Sequence, residues 1–430
     1  MKLTHALALL AATLASLAFA NPPRLIPPTP IGAPVPGLTA QQRALFNAGK
    51  AAYEKNFTVQ EGLGPLFRER SCVACHGFPA TGGSDPGTSN NVTHFMLNND
   101  GNWMLALELG GPVVQHRSIQ NEPGGASCAL QPEAVPPVPK VTTSQRHSPP
   151  VFGFGLLDAV ADDEIREWQG SKPWKDPSVI GFAQYGNELE SLVRLRAFTF
   201  DITRRQPAGA PRVGRFGWKS QTPTLFQFTT EPFNIELGVS TPYFPRENSP
   251  DGAPLPASCL LAGAQPNDSG SANSLKLFHF QALLAAPAPG PRTPRAFYGQ
   301  LMFHAAGCAD CHRPTMRTAR DYYLPLADGT VQRVDALSNK LIAPYSDLLI
   351  HDMGPGLADG RVMGAAGPQF WRTTPLWGTR HKRRYLHDGS AATVHDAIER
   401  HGGESDASVA RYDALSPAQQ QALLEFVESL

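Results

Sequence analysis

Apolar positions fall into helical register at the two ends of the chain and into short alternating runs between them. Leu45, Phe46, Ala52 and Tyr53 follow Thr39 at helical spacing, and Gln42 completes a capping box with Thr39, which predicts a helix starting there. Ser416, Pro417 and Gln419 open a final helix whose apolar face is Leu423, Phe426, Val427 and Leu430. In between, runs such as Ala197-Phe198-Thr199-Phe200-Asp201-Ile202 alternate with Gly and Pro, predicting short strands and long loops.

One longer apolar stretch, Ala6 to Leu17, follows Lys2 and precedes Ala18-Phe19-Ala20, the pattern of an export signal cleaved before Asn21. The alternative is an uncleaved anchor. No later segment approaches the roughly 20 apolar residues that span a bilayer, so the expected mature chain is exported to the periplasm without a membrane span. Residues 21–37 hold seven prolines in seventeen positions and read as a spacer.

Composition sharpens this picture. The 430 residues include 39 Gly and 41 Pro, which favours a loop-rich fold. Only 17% are charged, with 37 basic against 37 acidic groups, which excludes a coiled coil and gives no nucleic-acid footprint. With 41% hydrophobic residues the chain can bury a core, and its length suggests two or three domains.

The candidate chemistry lies in an internal repeat. Leu66-Phe67, four residues and Cys72-Val73-Ala74-Cys75-His76 recur as Met302-Phe303, four residues and Cys308-Ala309-Asp310-Cys311-His312. Both pentapeptides are CxxCH. Two thiols at this spacing reach the two vinyl groups of one haem while the adjacent imidazole is aimed at the iron. Zinc sites or redox-active CxxC disulfides are the alternatives, and neither requires a histidine directly after the second cysteine. The expectation is two covalently bound haem c groups with His76 and His312 as proximal ligands. Cys128 and Cys259 are either a disulfide or two buried thiols.

The segments GPLFRERSCVACHG, HSPPVFGFGLLDAVADDEI, GRFGWKSQTPTL, APYSDLLIHDMGPGLADG, WRTTPLWGT and YLHDGSAATVHDAIERHGGES together resemble the di-haem oxidoreductase family of peroxidase type, also labelled thiol oxidoreductases. More distantly, the last two are similar to segments of bacterial di-haem cytochrome c peroxidases and of the di-haem enzyme of methylamine utilisation. The resemblance implies a mainly α fold with long loops and a few short strands, built as two cytochrome c-like haem domains. The expected boundaries are a signal peptide at 1–20, a Pro-rich linker at 21–38, an N-terminal haem domain with a long insertion at 39–290 and a C-terminal haem domain at 291–430.

The resemblance also implies roles. His401 falls where the relatives place the distal ligand of the electron-transferring haem; it could equally be a helix-end residue. Met353, 41 residues after His312, is the rival ligand, with Met363 behind it. For the first haem, His94, Met96, His116 and His147 are all candidates and none sits in a motif that fixes it. Trp218 is similar to a tryptophan that lies between the haems in the peroxidases, with core packing as its alternative. Gln227 and Glu236 are similar to the Gln and Glu of the peroxide pocket, with Glu236 as general acid and base or, as its alternative, a solvated carboxylate. Arg215 or Arg212 would neutralise haem propionates, Asp158 is a weaker carboxylate candidate, and His387 with Asp388 shape a turn.

The function implied is a periplasmic di-haem oxidoreductase passing electrons from the C-terminal haem to an N-terminal haem that reduces a small oxidant such as hydrogen peroxide. A small cytochrome or cupredoxin would be the donor, and the distant relatives suggest calcium between the haem domains. A non-catalytic electron-transfer cytochrome and an oxidase of an organic or thiol substrate are the alternatives.

Overall fold

The computed structural model describes residues 24–88, 91–99, 102–104, 113–135, 137, 141–186, 200–201, 206–207, 212–247, 253–260, 266–268 and 272–430; residues 1–20, the expected signal, lie outside them, as does most of the 197–202 run. Within these, the expected first helix, α1 (Ala40–Glu54), carries the full Thr39/Gln42 capping box. Further helices used below are α2 (Leu225–Ile235), α3 (Ala272–Leu283), α4 (Pro294–Ala305), α5 (Val394–Glu399) and α6 (Pro417–Glu428). The last is the final helix expected from its Ser416/Gln419 box.

The few short strands expected are present, and the fold is mixed rather than mainly helical. Among the described residues there are seven small sheets of two or three strands. One places β1 (Val92–Asn99) antiparallel to β2 (Val141–Arg146), and another pairs β3 (Ile350–Asp352) with β4 (Phe370–Arg372). The architecture is mixed, with short helices and strands joined by irregular segments.

Residues expected to form a spacer are partly built into the core. Val35 and Leu38 are buried, the Val35 N–H donates to the Leu283 carbonyl at 2.8 Å, and Ala285 N–H donates to Ala33 at 3.0 Å. A proline-rich strand edge needs few donors, so the prolines do not prevent this docking. Cys128 and Cys259 form a disulfide, resolving the open pairing.

Two apolar clusters organise the interior. The larger runs from Val35 to Trp377 and includes Met316, Tyr322, Leu337 and Leu349. The smaller gathers Phe303, Tyr345, Val394, Tyr412, Leu423, Phe426 and Leu430. Each contains a helix pair in close approach. A Cβ added to Gly49 of α1 would lie 2.2 Å from the Lys276 carbonyl oxygen of α3, and one added to Gly299 of α4 would lie 1.9 Å from that of Ala422 in α6. Only glycine permits these crossings.

Four positions after each glycine stands an aromatic ring. Tyr53 lies 4.8 Å from Phe280 and 6.2 Å from His76; Phe303 lies 5.4 Å from Phe426 and 6.3 Å from His312, measured between ring centroids. The repeat is therefore real, but its parts correspond differently from the sequence match. Leu66-Phe67 is a strand paired with Arg117-Ser118, whereas Met302-Phe303 belongs to the last turn of α4. The structural counterpart of Phe303 is Tyr53, because the repeated unit is a glycine-crossed helix pair and not a dipeptide.

Candidate functional site

Each CxxCH motif folds as one tight turn, Cys72–Ala74 and Cys308–Asp310. The His76 N–H donates to the Cys72 carbonyl at 3.0 Å and the His312 N–H to the Cys308 carbonyl at 2.9 Å, so the imidazole follows the thiols in the same way in both copies. Nδ1 of His76 bonds the Gly83 carbonyl at 3.2 Å and Nδ1 of His312 bonds the Tyr345 carbonyl at 2.9 Å. A carbonyl partner requires the proton on Nδ1, which leaves the Nε2 lone pair for a metal. Burial pushes both rings down to about 4, so each is neutral near pH 7.

The four thiols are shifted the opposite way. Burial pushes Cys75 and Cys308 up to about 12 and raises Cys72 and Cys311 as well. Redox CxxC pairs and zinc sites rely on stabilised thiolates, and these surroundings do the reverse. Among the described residues no group of three or more His, Cys, Asp or Glu side chains could hold a metal ion. Neutral thiols and a neutral imidazole at the wall of an apolar cavity fit a thioether-linked haem.

The first cavity, about 1170 Å³ with its open mouth, is lined by Cys72, His76, Tyr53, Trp218, Glu231 and Glu236, among others. The helix α2 is capped by Thr224, whose hydroxyl accepts from Gln227 N–H, and lines the cavity only from Phe228 onward. Gln227 is buried in its first turn and does not reach the cavity, so the structure brings Glu236 to the site without it. Glu231, one helical turn further on, is there instead; the spacing of four from Gln227 was the available signal.

Glu236 caps the C-terminus of α2. Burial pushes its carboxyl up to about 7, with the nearby Glu231 adding to the rise and Arg68 opposing it. Glu231 is also raised by burial, against the pull of Arg361. Of the expected histidine and methionine candidates, His94 and His147 line this cavity whereas Met96 and His116 do not. His147 bonds Asn91 Oδ1 through Nδ1 at 3.1 Å, and its Nε2, like Nδ1 of His94, has no hydrogen-bond partner.

The second cavity, about 1600 Å³ with its mouth, contains Cys308, Cys311, His312, Met353 and His401. The His401 ring follows α5 and bonds the Ala397 carbonyl through Nδ1 at 2.6 Å, again leaving Nε2 free. Both rival ligands thus share the cavity with His312. The loop bearing Met353 is pinned by a residue that sequence reasoning passed over. His351 Nε2 lies 3.0 Å from Asp347 and Nδ1 2.8 Å from Glu404, and the ring stands 3.6 Å from Cys311 Sγ. Burial opposes it, but the neighbouring Cys311 and Asp347 hold His351 well above the usual histidine range. The i, i+4 pair Asp347/His351 in YSDLLIHDMG was its only trace.

Trp218 lines both cavities, as does His147. Its indole Nε1 donates to the His147 carbonyl at 3.0 Å, and its own carbonyl accepts from Arg372 N–H at 2.9 Å. Other candidates are structural. Arg215 is fully buried, paired with Asp162 and donating to the carbonyls of Leu157, Val160 and Val213; neither it nor the fully buried Arg212 lines a cavity. Asp158 accepts from Tyr322 Oη at 2.7 Å and Leu225 N–H at 3.0 Å, which consumes it in the core. His387 stacks on Trp371 with centroids 3.9 Å apart, and Asp388 accepts from Ser390 N–H in the following turn.

A family model described as "Di-haem oxidoreductase, putative peroxidase" matches residues 138–430. Solved structures with a similar chain include hydrazine synthase from Kuenenia stuttgartiensis, 14% identical over 94% of this chain and 95% of that one, with a TM-score of 0.36. A MauG-like protein associated with microbial copper homeostasis is 14% identical over 96% and 95%, at 0.35. A variant of the di-haem peroxidase BthA from Burkholderia thailandensis is 13% identical over 95% and 90%, at 0.35. No curated protein matches the chain.

Proposed function

This chain belongs to the di-haem oxidoreductase family, and from that membership, which implies two haems and peroxidase-type chemistry, we propose a periplasmic enzyme that reduces a small oxidant such as hydrogen peroxide. Cys72 and Cys75 would attach one haem and Cys308 and Cys311 the other, each thiol adding across a vinyl double bond. Residues 39–290 and 291–430 would form the two haem-bearing units. Haem bound in these cavities would supply an electron store beside His312 and an iron able to reduce the oxidant beside His76.

The observation that carries the reading is Trp218, which lines both cavities and so offers an aromatic path between them. Electrons from a small cytochrome or cupredoxin would arrive at the second cavity, where His312 together with His401 or Met353 would hold the iron. In the first, Glu236 is the acid and base. With a carboxyl pushed up to about 7 it is close to half-protonated at neutral pH, the condition for both giving and taking a proton. Hydrogen peroxide takes up two electrons and two protons to give two waters, and Glu236 would carry a proton from one peroxide oxygen to the other as the bond breaks. Export accords with the disulfide, and among the described residues no helix is long and apolar enough to cross a membrane.

Stopped-flow mixing of the half-reduced protein with hydrogen peroxide tests this: rapid oxidation is expected, and two low-spin haems with no spectral change would refute it. One observation favours a non-catalytic electron-transfer protein instead. His94 and His147 line the first cavity with unpartnered ring nitrogens, and either would serve with His76 as a second ligand that leaves no site for an oxidant. A high-spin ferric signal decides for the enzyme.

A further inference from the structure

The wall of the first cavity holds more buried positive charge than its own acids satisfy. Arg146, at the end of β2, is 5% exposed and Arg361 is 2% exposed, and both line the cavity. Asp359 is the shared carboxylate. Its Oδ2 accepts from Arg146 Nη2 and from Ser144 Oγ at 2.7 Å; its Oδ1 lies 3.3 Å from Lys219 Nζ and accepts the backbone N–H of Arg361 at 3.2 Å. Lys219 is further satisfied by the carbonyls of Gly367, Pro368 and Phe370.

The guanidinium groups are not. Arg146 Nη1 and Arg361 Nε and Nη1 are buried with no hydrogen-bond partner. Glu231 influences Arg361 only through its charge and is itself pushed toward the neutral acid by burial. Trp371 lies beneath Arg146 at 4.5 Å, so one face of that guanidinium is already covered by a ring. A buried guanidinium N–H left unmade is costly, and a planar fork of donors matches a carboxylate.

We infer that Arg146 and Arg361 form a carboxylate-binding pair that receives the propionate edge of the haem on His76. This rests on the first cavity being a haem site. It replaces the expectation for Arg215 and Arg212, which are buried in the core and line neither cavity. A small free anion has the same chemistry and is the other possible source.

The test uses the haem-loaded full chain with Arg361→Leu and Arg361→Lys variants. Mass spectrometry first counts the haems: fewer than two in the wild type overturns both the reading of the cavity and this inference. With two present, Arg361→Leu is expected to lower the midpoint potential of the haem on His76 and shift its propionate bending mode in resonance Raman. The other haem should be unchanged, and Arg361→Lys should restore part of the potential. Unchanged potential and modes in Arg361→Leu overturn the inference alone. So does a spectral response to added formate that wild type shows and Arg361→Leu lacks, since that would place a free anion on the pair. Should Arg361→Leu fail to fold, the propionate mode and potential of Arg361→Lys carry the same decision, with no change in either overturning the inference.

Discussion

The indole N–H of Trp218 meets the backbone carbonyl of His147 at 3.0 Å, and both residues face both cavities. Replacing Trp218 by Leu removes the aromatic path while leaving His147 in place. The expected outcome is at least a tenfold slower transfer between the haems, about 1.4 kcal/mol in barrier, measured by stopped flow after one-electron reduction. Haem content should not change. An unaltered rate would assign Trp218 to packing alone.

Glu236→Gln should cut peroxide turnover by about 10²- to 10⁴-fold, the usual contribution of a positioned acid and base. In the parent protein, Glu236 titrates near 7, so a turnover limited by its base form rises through that pH. Glu231→Gln removes a like charge and should move this limb to lower pH while turnover at the plateau is retained. The linkage to stability has a definite sign. A carboxyl raised from 4.5 to about 7 in the fold stabilises the native state at low pH, and that contribution is lost as pH rises from about 4.5 through 7. Urea titrations across this window should show the parent losing more stability than Glu236→Gln as pH rises, the difference between the two slopes being the Glu236 contribution.

His401→Ala and Met353→Ala separate the two rival ligands. Loss of a distal histidine should convert the haem on His312 to a high-spin species, whereas Met353→Ala should leave it low-spin. Electron paramagnetic resonance of the oxidised variants reads the difference directly, and the reverse pattern would assign Met353.

Gly299→Ala should lower stability by about 1–3 kcal/mol through overpacking, because its Cβ would meet the Ala422 carbonyl at 1.9 Å. Thermal unfolding monitored by circular dichroism checks this. Gly360→Ala provides the contrast in space, since its nearest contact would be an ordinary 3.8 Å from Thr142, although its positive φ adds backbone strain.

The local chemistry of the site was legible in the sequence, and much of its assembly was not. The two CxxCH turns, the terminal helices and the presence of Trp218 and Glu236 in the first cavity follow from motifs, caps and resemblance. Gln227 failed because helical periodicity says which face a residue occupies and not how far along the helix a cavity extends. Arg146 and Arg361 were invisible because their meaning comes from missing partners, which only three-dimensional burial reveals. Arg215 illustrates the converse: its position in GRFGWK suggested a propionate ligand, but Asp162 and three carbonyls claim it. The Leu66-Phe67 match misled because residues at equal spacing from a motif can sit on a strand in one copy and a helix in the other.

The enclosure of the thiols bears on how such a protein is assembled. Cys128 and Cys259 are joined, while Cys72 lines the first cavity and Cys308 and Cys311 line the second. Thioether formation at these positions would therefore precede closure of the helix pairs that carry Gly49 and Gly299. Oxidation of the Cys128 and Cys259 pair would have to spare the four remaining thiols during that interval. On the proposed haem attachment, the order in which these cysteines react would decide which of them pair.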